Sequence, residues 1–497
     1  MKPAARRALA AALLCCALAA LAPAQQPQPT PPSAPTQAPP PEAARRVEEF
    51  VRLVNTGDRK AARLYVEQNF TPASLQRVPV EQRLGTISRL RDVTRGMELQ
   101  GAVRQPKPQE ATALVRNKLT GEWEELLFIF EPDAPYRIER FGLRAAGPPD
   151  GAAAPAARLT EQEAARELEA FLRKLSEADV FSGSVLLAKD GKVIFAGAYG
   201  EANKDFRAPN RLDTKFNLGS MNKMFTAVAV AQLAEQGKLS FEDPLSKFVP
   251  DFPGPEAAQK IKLKHLLTHT SGLGSFFNET FDQTSRARLR TIDDFMGLAK
   301  GETLQFEPGA RWDYSNTGFL VLGKVVEKAS GQDYFDYVRE HVYKRAGMTG
   351  TDAYELDRVN PNLAVGYQKE YTDAGTAFRN NVFEHVIRGG PAGGGYSTAE
   401  DMLRFDRALR AGRLVGPEYV KLLLSPKPEL NSPRYGYGFE LDAGEGVAGH
   451  SGGFPGISSD LHMYLKSGHT GVVLSNYGGA AGLVVNKMRA LVRAMAQ

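Results

Sequence analysis

The feature that most constrains the fold of this 497-residue chain is the stretch AAGPPDGAAAPAA at residues 145–157. Alanine, glycine and proline dominate it, so it offers no large apolar side chain to a core and has the composition of a linker. A chain of this length also exceeds what one ordinary hydrophobic core holds. We therefore predict two domains, a small one over residues 42–144 and a larger one over residues 159–497, joined by a linker over residues 145–158.

The first 24 residues have the pattern of an export signal. A short basic region comes first, the apolar run ALAAALLCCALAALA follows, and Ala22-Pro23-Ala24 matches a cleavage site. A retained membrane anchor is the alternative, but the apolar run is short for a bilayer span. We expect a bacterial protein that is periplasmic or extracellular, with no stable membrane insertion once the signal is removed.

Both cysteines of the sequence, Cys15 and Cys16, lie inside this leader. A lipid-modified cysteine follows small residues, and Leu13 and Leu14 do not fit that pattern, so we expect no lipid anchor. The mature chain then has no disulfide, no thiol nucleophile and no cysteine-bound metal. Residues 25–41, rich in proline and glutamine, are predicted to form a disordered tether.

The charge balance argues against nucleic acid as a partner. The formal net charge is +5, and without Lys2, Arg6 and Arg7 of the leader 59 basic side chains face 57 acidic ones. So small an excess gives no attraction to nucleic acid or to an anionic membrane surface. The sequence has no Gly-rich phosphate loop and no metal motif such as H-E-x-x-H, so we expect neither a cofactor nor a metal.

The small domain is predicted to place its helices before its strands. The run EAARRVEEFVRLVNTGDRKAARLYVEQNF gives two helical stretches broken at residues 55–58, and a further helix is expected near residues 80–91. Four strand-like runs follow, MELQGAV, EATALVRNK, WEELLFIF and YRIERFGL, with Thr120 and Gly121 as a hairpin turn. This α+β order resembles NTF2-like domains in outline.

The larger domain has strand-like runs at both of its ends. Two strands joined at Asp190 and Gly191 are predicted by SGSVLLAKDGKVIFAGAYG, and two more near the C-terminus by SSDLHMYLK and TGVVLSNYG, before a closing helix. Between about residues 203 and 430 the patterns are mostly helical, with Gly/Pro loops. We predict a mixed α/β (α+β) fold in which one antiparallel sheet, assembled from both ends, packs against a helical subdomain.

A serine and a lysine open an otherwise apolar helical segment, FNLGSMNKMFTAVAVAQL. Residues three apart share one face of a helix, so Lys223 would lie under the hydroxyl of Ser220. A serine hydroxyl needs an adjacent base, and burial of the lysine favours the neutral amine that can serve as one. The alternative is an N-cap serine followed by a lysine that extends to water.

Two more motifs carry groups suited to acyl transfer. Tyr314 and Asn316, in the loop segment YSN, offer a phenol that can move a proton and an amide that can position a neighbour. His450 precedes Gly452 and Gly453 ahead of a strand, and paired glycines let a substrate approach backbone N–H groups. Taken alone, the first motif is usually a capped turn and the second a tight loop.

In this order, Ser-x-x-Lys, Tyr-x-Asn and His-Ser-Gly-Gly resemble the serine β-lactamase and penicillin-binding-protein superfamily. The Tyr-x-Asn motif is similar to the branch of class C β-lactamases, D-alanyl-D-alanine carboxypeptidases and related esterases. The resemblance covers about residues 159–497 and implies a β-lactamase/transpeptidase-like fold. It includes longer runs, IKLKHLLTHTSGL, EPGARWDYSNTGFLVLGKVVEKASG and PAGGGYSTAEDM.

The resemblance implies a role for each matching residue. Ser220 would be the acylated nucleophile, Lys223 and Tyr314 would share its proton, and Asn316 would hold Lys223 and a substrate amide. The N–H groups of Ser220 and Gly453 would form the oxyanion hole.

The resemblance also implies that the segment PAGGGYS forms one wall of the site. Gly394 in that wall and Gly452 would contact the substrate. Ser397 and Glu400 also match a capping box for the following helix, so a structural role for this wall stays open.

His450 departs from the family pattern, because β-lactamases have a lysine at this position. A histidine of ordinary pKa, near 6.5, is mostly neutral at pH 7, so attraction to an anionic substrate should be weaker. This favours an esterase or peptidase over a β-lactamase. The alternative is that His450 is a hydrogen-bonded loop residue that orients Tyr314.

Two local patterns point to other chemistries. His265 and His269 stand at i and i+4 and resemble a metal pair, but with no third ligand nearby, packing and capping are the better interpretation. Residues 449–453 spell G-x-S-x-G, the nucleophile elbow of α/β-hydrolases, with Ser451 as nucleophile. That elbow needs a helix directly after it, and here FPGISSDLHMYL predicts a loop and a strand.

The sequence therefore predicts an exported serine hydrolase that forms an acyl-enzyme with an ester, a peptide or a β-lactam amide. The alternative from another class is a degenerate family member that binds peptidoglycan or a protein without chemistry. The small domain has no catalytic cluster and is the better candidate for binding.

Overall fold

The computed structural model describes residues 38–149 and 158–496. The predicted signal peptide, nearly all of the predicted tether and part of the linker lie outside these residues. Within them, no helix is both long and apolar enough to cross a bilayer.

The small domain packs four helices against a four-stranded antiparallel sheet, in the predicted order. Its elements are α1 (Pro41–Thr56), α2 (Arg59–Asn69), α3 (Pro72–Arg77), α4 (Val80–Thr94), β1 (Met97–Leu99), β2 (Glu110–Asn117), β3 (Trp123–Phe130) and β4 (Ile138–Ala145). The strands lie side by side in chain order, and the expected turn joins β2 to β3. Phe50, Phe128 and Phe141 centre the core, with ring centroids 5.2, 4.8 and 5.8 Å apart.

The larger domain is built on one six-stranded antiparallel sheet. The strands of this domain are β5 (Gly183–Lys189), β6 (Lys192–Tyr199), β7 (Glu201–Asn203), β8 (Ala208–Pro209), β9 (Phe216–Asn217), β10 (Tyr367–Thr372), β11 (Gly375–Asn380), β12 (Tyr396–Ser397), β13 (Glu440–Asp442), β14 (Val447–Phe454), β15 (Ile457–Tyr464) and β16 (His469–Ser475). The main sheet has the order β13-β14-β15-β16-β5-β6. Its two N-terminal strands, β5 and β6, join its four C-terminal strands through the pairing of β5 with β16. This confirms the prediction of one sheet assembled from both ends.

Helices cover both faces of this sheet. They are α5 (Glu161–Glu177), α6 (Asn222–Glu235), α7 (Pro255–Lys260), α8 (Leu263–Leu267), α9 (Glu279–Gln283), α10 (Ile292–Leu298), α11 (Asn316–Ser330), α12 (Tyr334–Val338), α13 (Ala399–Arg410), α14 (Pro417–Leu423) and α15 (Ala481–Ala496). Val185 and Leu187 of β5 pack under α5 and α15, whereas Leu186 and Ala188 join the core of the helical subdomain, as the two-residue period of a strand requires. The sheet is thus buried between two helical layers.

The two domains meet where α4 lies against the β10–β11 hairpin. Lys369 Nζ is 2.6 Å from Asp92 Oδ2, and the Tyr371 hydroxyl donates to the same carboxylate oxygen at 3.1 Å. Val93 and Leu119 of the small domain also pack on the core beneath the sheet of the larger one. The buried residues of each domain nevertheless form clusters of their own, so each domain has a separate core.

Candidate active site

Ser220 stands on a tight turn between β9 and α6. Gly219 has φ +51°, and a 3-10 turn over Gly219–Met221 leads into the helix, which begins at Asn222. A Cβ on Gly219 would lie 2.8 Å from the backbone nitrogen of Gly453, so glycine lets this turn approach β14 closely. Ser220 is half-buried, and its side chain does not cap α6. The N-cap alternative for this serine is wrong, because the helix starts two residues later.

Lys223 is buried beneath the serine, with 0% of its surface exposed. Its Nζ lies 3.2 Å from Ser220 Oγ and donates to Asn316 Oδ1 at 2.9 Å and to the Ala392 carbonyl at 2.6 Å. The alternative in which this lysine extends to water is therefore wrong. One amine links the serine turn, the Tyr-x-Asn loop and the glycine-rich wall.

The Tyr-x-Asn motif occupies the start of α11. Ser315 caps this helix by accepting the N–H of Gly318 at 2.8 Å, and this turn fixes Tyr314 and Asn316 on either side of it. The Tyr314 ring centroid is 4.8 Å from Lys223 Nζ. The motif is thus a capped turn, and the same turn brings both predicted side chains to the lysine.

His269 lies beside Tyr314. Its ring centroid is 4.2 Å from that of Tyr314, and its Nδ1 accepts the N–H of Ser315 at 3.0 Å. Burial holds the pKa of His269 well below its ordinary value, so the ring stays neutral. His265 instead accepts the N–H of Lys262 at 3.2 Å, at the start of α8. Capping and packing, as predicted, account for both histidines.

His450 lies on β14 and is buried, with 1% of its surface exposed. Its Nδ1 is 2.6 Å from the Ser451 carbonyl, which can only accept, so Nδ1 carries the proton. Its Nε2 then accepts the hydroxyl of Tyr435 at 2.8 Å. Burial lowers the pKa of His450, and the nearby Glu440 opposes that effect. His450 is thus a strand residue whose ring is bound to Tyr435, and not a loop residue bound to Tyr314.

The next residues of β14 press against the serine turn. A Cβ on Gly452 would stand 1.9 Å from the Leu218 carbonyl, so only glycine fits there, whereas a Cβ on Gly453 would meet open space. Ser451 points away from this turn, is exposed, and donates to Glu440 Oε1 at 2.8 Å. The strand β15 follows β14, so no helix comes directly after residues 449–453. These residues therefore do not form a nucleophile elbow, as predicted from the sequence.

The glycine-rich wall binds the serine turn through its backbone. The N–H of Gly394 donates to the Gly219 carbonyl at 3.1 Å, and the Gly394 carbonyl accepts from Asn217 Nδ2 at 2.9 Å. The N–H of Leu218 donates to the Gly395 carbonyl at 2.8 Å. Gly394 therefore uses its N–H group within the chain, and its contact with the substrate stays a prediction.

The predicted capping box after this wall is wrong by one residue. Thr398 caps α13 by accepting the N–H of Asp401 at 3.1 Å, because the helix begins at Ala399. Ser397 belongs to β12 and shares a hydrogen bond with Thr351 Oγ1 at 2.7 Å.

Several site residues have no signal in the three motifs. Tyr435 and Glu440 flank His450, the Ala392 carbonyl binds Lys223, and Ser275 Oγ accepts from Asn316 Nδ2 at 3.2 Å. These residues lie in the runs HTSGLGS, PAGGG and YGYGFE, whose glycine and polar content gives a local hint of these contacts.

Comparisons with known proteins cover the larger domain. A model of the family described as Beta-lactamase matches residues 164–494. Penicillin-binding protein 4* of Bacillus subtilis (strain 168) is 30% identical over 333 residues, which cover 64% of this chain and 72% of that protein. These matches confirm the resemblance inferred from the motifs.

Solved structures agree with these matches. A penicillin-binding protein from Bacillus halodurans is 33% identical with a TM-score of 0.59, over 64% of this chain and 98% of that one. A D-stereospecific amidohydrolase from Streptomyces is 26% identical with a TM-score of 0.52, over 65% of this chain and 96% of that one. The family match begins at residue 164, so the NTF2-like resemblance of the small domain stays a prediction.

Proposed function

Because the chain belongs to the Beta-lactamase family, we propose that it is an exported serine hydrolase that acylates Ser220 with a neutral ester or amide. Its relatives, which include penicillin-binding proteins and a D-stereospecific amidohydrolase, support the coarser conclusion of a serine hydrolase that works through an acyl-enzyme. The nucleophile, the base and the substrate class are our inferences from the site.

The hydrogen bonds of Lys223 carry the proposal. A neutral amine has two N–H groups and one lone pair. Its N–H groups match the two carbonyl-type acceptors, Asn316 Oδ1 at 2.9 Å and Ala392 O at 2.6 Å. In this neutral form the lone pair can accept the hydroxyl of Ser220, whose oxygen is 3.2 Å from Nζ, whereas an ammonium donates to the same oxygen. Burial disfavours the charged ammonium, so this arrangement supports a base poised under the nucleophile.

The reaction follows from these positions. Ser220 Oγ attacks the acyl carbonyl carbon while its proton moves to the lone pair of Lys223. Lys223 then passes a proton through the Tyr314 hydroxyl to the leaving group as the bond to that group breaks, which returns the amine to its neutral form. The N–H groups of Ser220 and Gly453 stabilise the negative charge on the carbonyl oxygen. Water then attacks the acyl-enzyme, loses a proton to the same base, and Ser220 recovers its hydroxyl proton as the acid departs.

The third motif supports a neutral substrate. The family's β-lactamases carry a lysine where this chain has His450, and the ring of His450 is neutral, buried and already bound to Tyr435 and to the Ser451 carbonyl. It has no free N–H to offer a substrate carboxylate. We infer that esters and neutral amides are better substrates than β-lactams or peptides with a terminal carboxylate.

The rim of the site supports an apolar acyl group. Phe454 directly follows Gly453, and Phe277 lies two residues after Ser275, which binds Asn316. The two phenyl rings are 5.8 Å apart, and His385, neutral because burial lowers its pKa, lies 5.6 Å from Phe454. A hydrophobic acyl chain between these rings would lose unfavourable contact with water.

The decisive experiment is labelling with a fluorescent phosphonate, combined with rates on p-nitrophenyl butyrate, nitrocefin and a D-Ala-D-Ala peptide. Ser220→Ala should abolish labelling and lower turnover by several orders of magnitude, whereas the matched variant Ser451→Ala should keep both. Normal labelling of Ser220→Ala, or loss in Ser451→Ala alone, would overturn the nucleophile. A wild-type chain that binds peptidoglycan without labelling would favour the degenerate binding role.

Export is tested separately. The protein secreted from a bacterial host should begin at Gln25, as N-terminal sequencing can determine, because the cleavage-site pattern ends at Ala24. A chain that keeps Met1 in the membrane fraction would support the retained anchor.

A further inference from the structure

The small domain holds an open cleft of about 460 Å³ between the α3–α4 corner and the start of β4. Arg77 ends α3, Arg83 lies in the first turns of α4, and Arg140 lies on β4. All three line the cleft, together with Glu139 as its one carboxylate. The cleft therefore has an excess of positive charge.

These arginines differ from others in the same domain. Arg137 pairs with Glu131 at 3.1 Å, and Arg144 pairs with Glu125. Within residues 38–149 and 158–496, none of the three cleft arginines lies at ion-pair distance from a carboxylate. The cleft thus gathers three arginines that have no carboxylate partner among the described residues.

Arg83 is the buried member of the three, with 6% of its surface exposed. An unpaired charge costs the fold most free energy at such a position. Its guanidinium lies 4.2 Å over the Phe70 ring, and its Nη2 donates to the carbonyl and the hydroxyl of Ser74 at 3.0 and 2.6 Å. Its Nε finds no acceptor among the described residues. Burial and the neighbouring Arg77 lower the pKa of Arg83 to about 10. A buried charge is normally paired with an opposite charge, and no carboxylate among the described residues pairs with Arg83.

We propose that this cleft binds a small molecule through a carboxylate or phosphoryl group. Arg77 and Arg140 are exposed at the mouth and free to fold onto an oxyanion, while Arg83 supplies a fixed charge at the base. Guanidinium groups suit this task, because they present paired N–H donors to two oxygens of a carboxylate or phosphate. The site is separate from Ser220 and does not depend on the proposed hydrolase activity.

The test is isothermal titration of the full chain with inorganic phosphate and with glutarate, at ionic strength matched by sodium chloride. We expect saturable binding of one probe, and the stronger probe tells a phosphoryl ligand from a carboxylate ligand. The double variant Arg77→Gln/Arg140→Gln should raise its Kd at least about tenfold, since two charge-assisted hydrogen bonds are lost. Both side chains are exposed, so the fold should survive.

Arg45→Gln is the matched control, because Arg45 is an exposed arginine of α1 outside the cleft. It should change the Kd less than about twofold, since only general charge is removed. Absence of saturable binding to either probe up to about 10 mM would overturn the proposal. Equal weakening by Arg45→Gln and by the double variant would also overturn it, because binding would then follow net charge alone.

Discussion

Replacing Asn316 with aspartate exchanges one amide for a carboxylate beside the proposed base. Asn316 Oδ1 lies 2.9 Å from Lys223 Nζ. A carboxylate oxygen at this distance favours the ammonium by about 6 kcal/mol at an effective dielectric constant near 20. Because the position is buried, desolvation of the new carboxylate cancels part of this Coulomb energy. If about half of the energy is cancelled, roughly 3 kcal/mol still favours the ammonium. That bias equals about two pH units.

The measurable result is a change in the pH dependence of turnover. If Lys223 acts as a neutral amine, Asn316→Asp should move the acid limb of the kcat/KM profile about two pH units upward. At pH values on the acid limb the rate on p-nitrophenyl butyrate should fall about 100-fold and recover as the pH rises. The profile is measured from about pH 5 to pH 9, within the stable range of the ester.

Asn316→Ala is the control, because it removes the acceptor without adding a charge. It should lower the rate about tenfold at every pH, the cost of one hydrogen bond to a positioned group, and leave the acid limb in place. Thermal melts check that both variants are folded. If Asn316→Asp keeps the acid limb of the wild type, the amine under Ser220 is not the base and the reasoning from its hydrogen bonds fails.

Three further predictions follow from other parts of the molecule. Because burial lowers the pKa of His450, the ratio of nitrocefin to p-nitrophenyl butyrate rates should stay constant from about pH 8 down to pH 5.5, and a severalfold rise at low pH would show that the ring charges and binds the carboxylate. Burial raises the pKa of Glu124 from its ordinary value of 4.5 to about 7. The contribution of this group to folding stability is therefore fully present below pH 4.5 and is lost as the pH rises through 7. Glu124→Gln should therefore stabilise the small domain by up to about 3 kcal/mol at pH 8 and by little at pH 4. Urea unfolding, followed by the fluorescence of Trp123 in a Trp312→Phe background, measures this difference, and equal gains at both pH values would contradict the prediction. Residues 159–497 expressed alone should fold and hydrolyse an activated ester because they hold the whole site and two cores of their own, and an inactive fragment beside an active full chain would show that the small domain completes the site.

The residues that the sequence identified best are those held by local geometry. Ser220 and Lys223 are three positions apart, and the short turn that leads into α6 places the hydroxyl of the first above the amine of the second. Tyr314 and Asn316 flank one capping serine, so one turn fixes both. The strand alternation that separates Val185 from Leu186 likewise predicts which faces of the sheet are buried.

The contacts that the sequence did not reveal join distant segments. Tyr435 meets His450 across the β13–β14 edge of the sheet, and the Ala392 carbonyl reaches Lys223 from a loop 169 residues away. No spacing rule links such positions, because their distance is set by packing of the whole domain. The β10–β11 hairpin was missed for another reason: its residues are mostly exposed or half-buried, so the apolar alternation that marks a strand is weak.

The order of strands in the main sheet has a consequence for synthesis. The strand β5 pairs with β6 on one side and with β16 on the other. About 280 residues separate β5 from β16, as the pairing of Leu186 with Val472 illustrates. A ribosome releases β5 long before β16, so the nascent larger domain carries an unpaired, apolar strand edge until almost its last helix has emerged. The small domain, whose strands pair with chain neighbours, can fold first. The larger domain therefore cannot close its main sheet until β16 has left the ribosome, and until then β5 keeps one edge open to pairing with other chains.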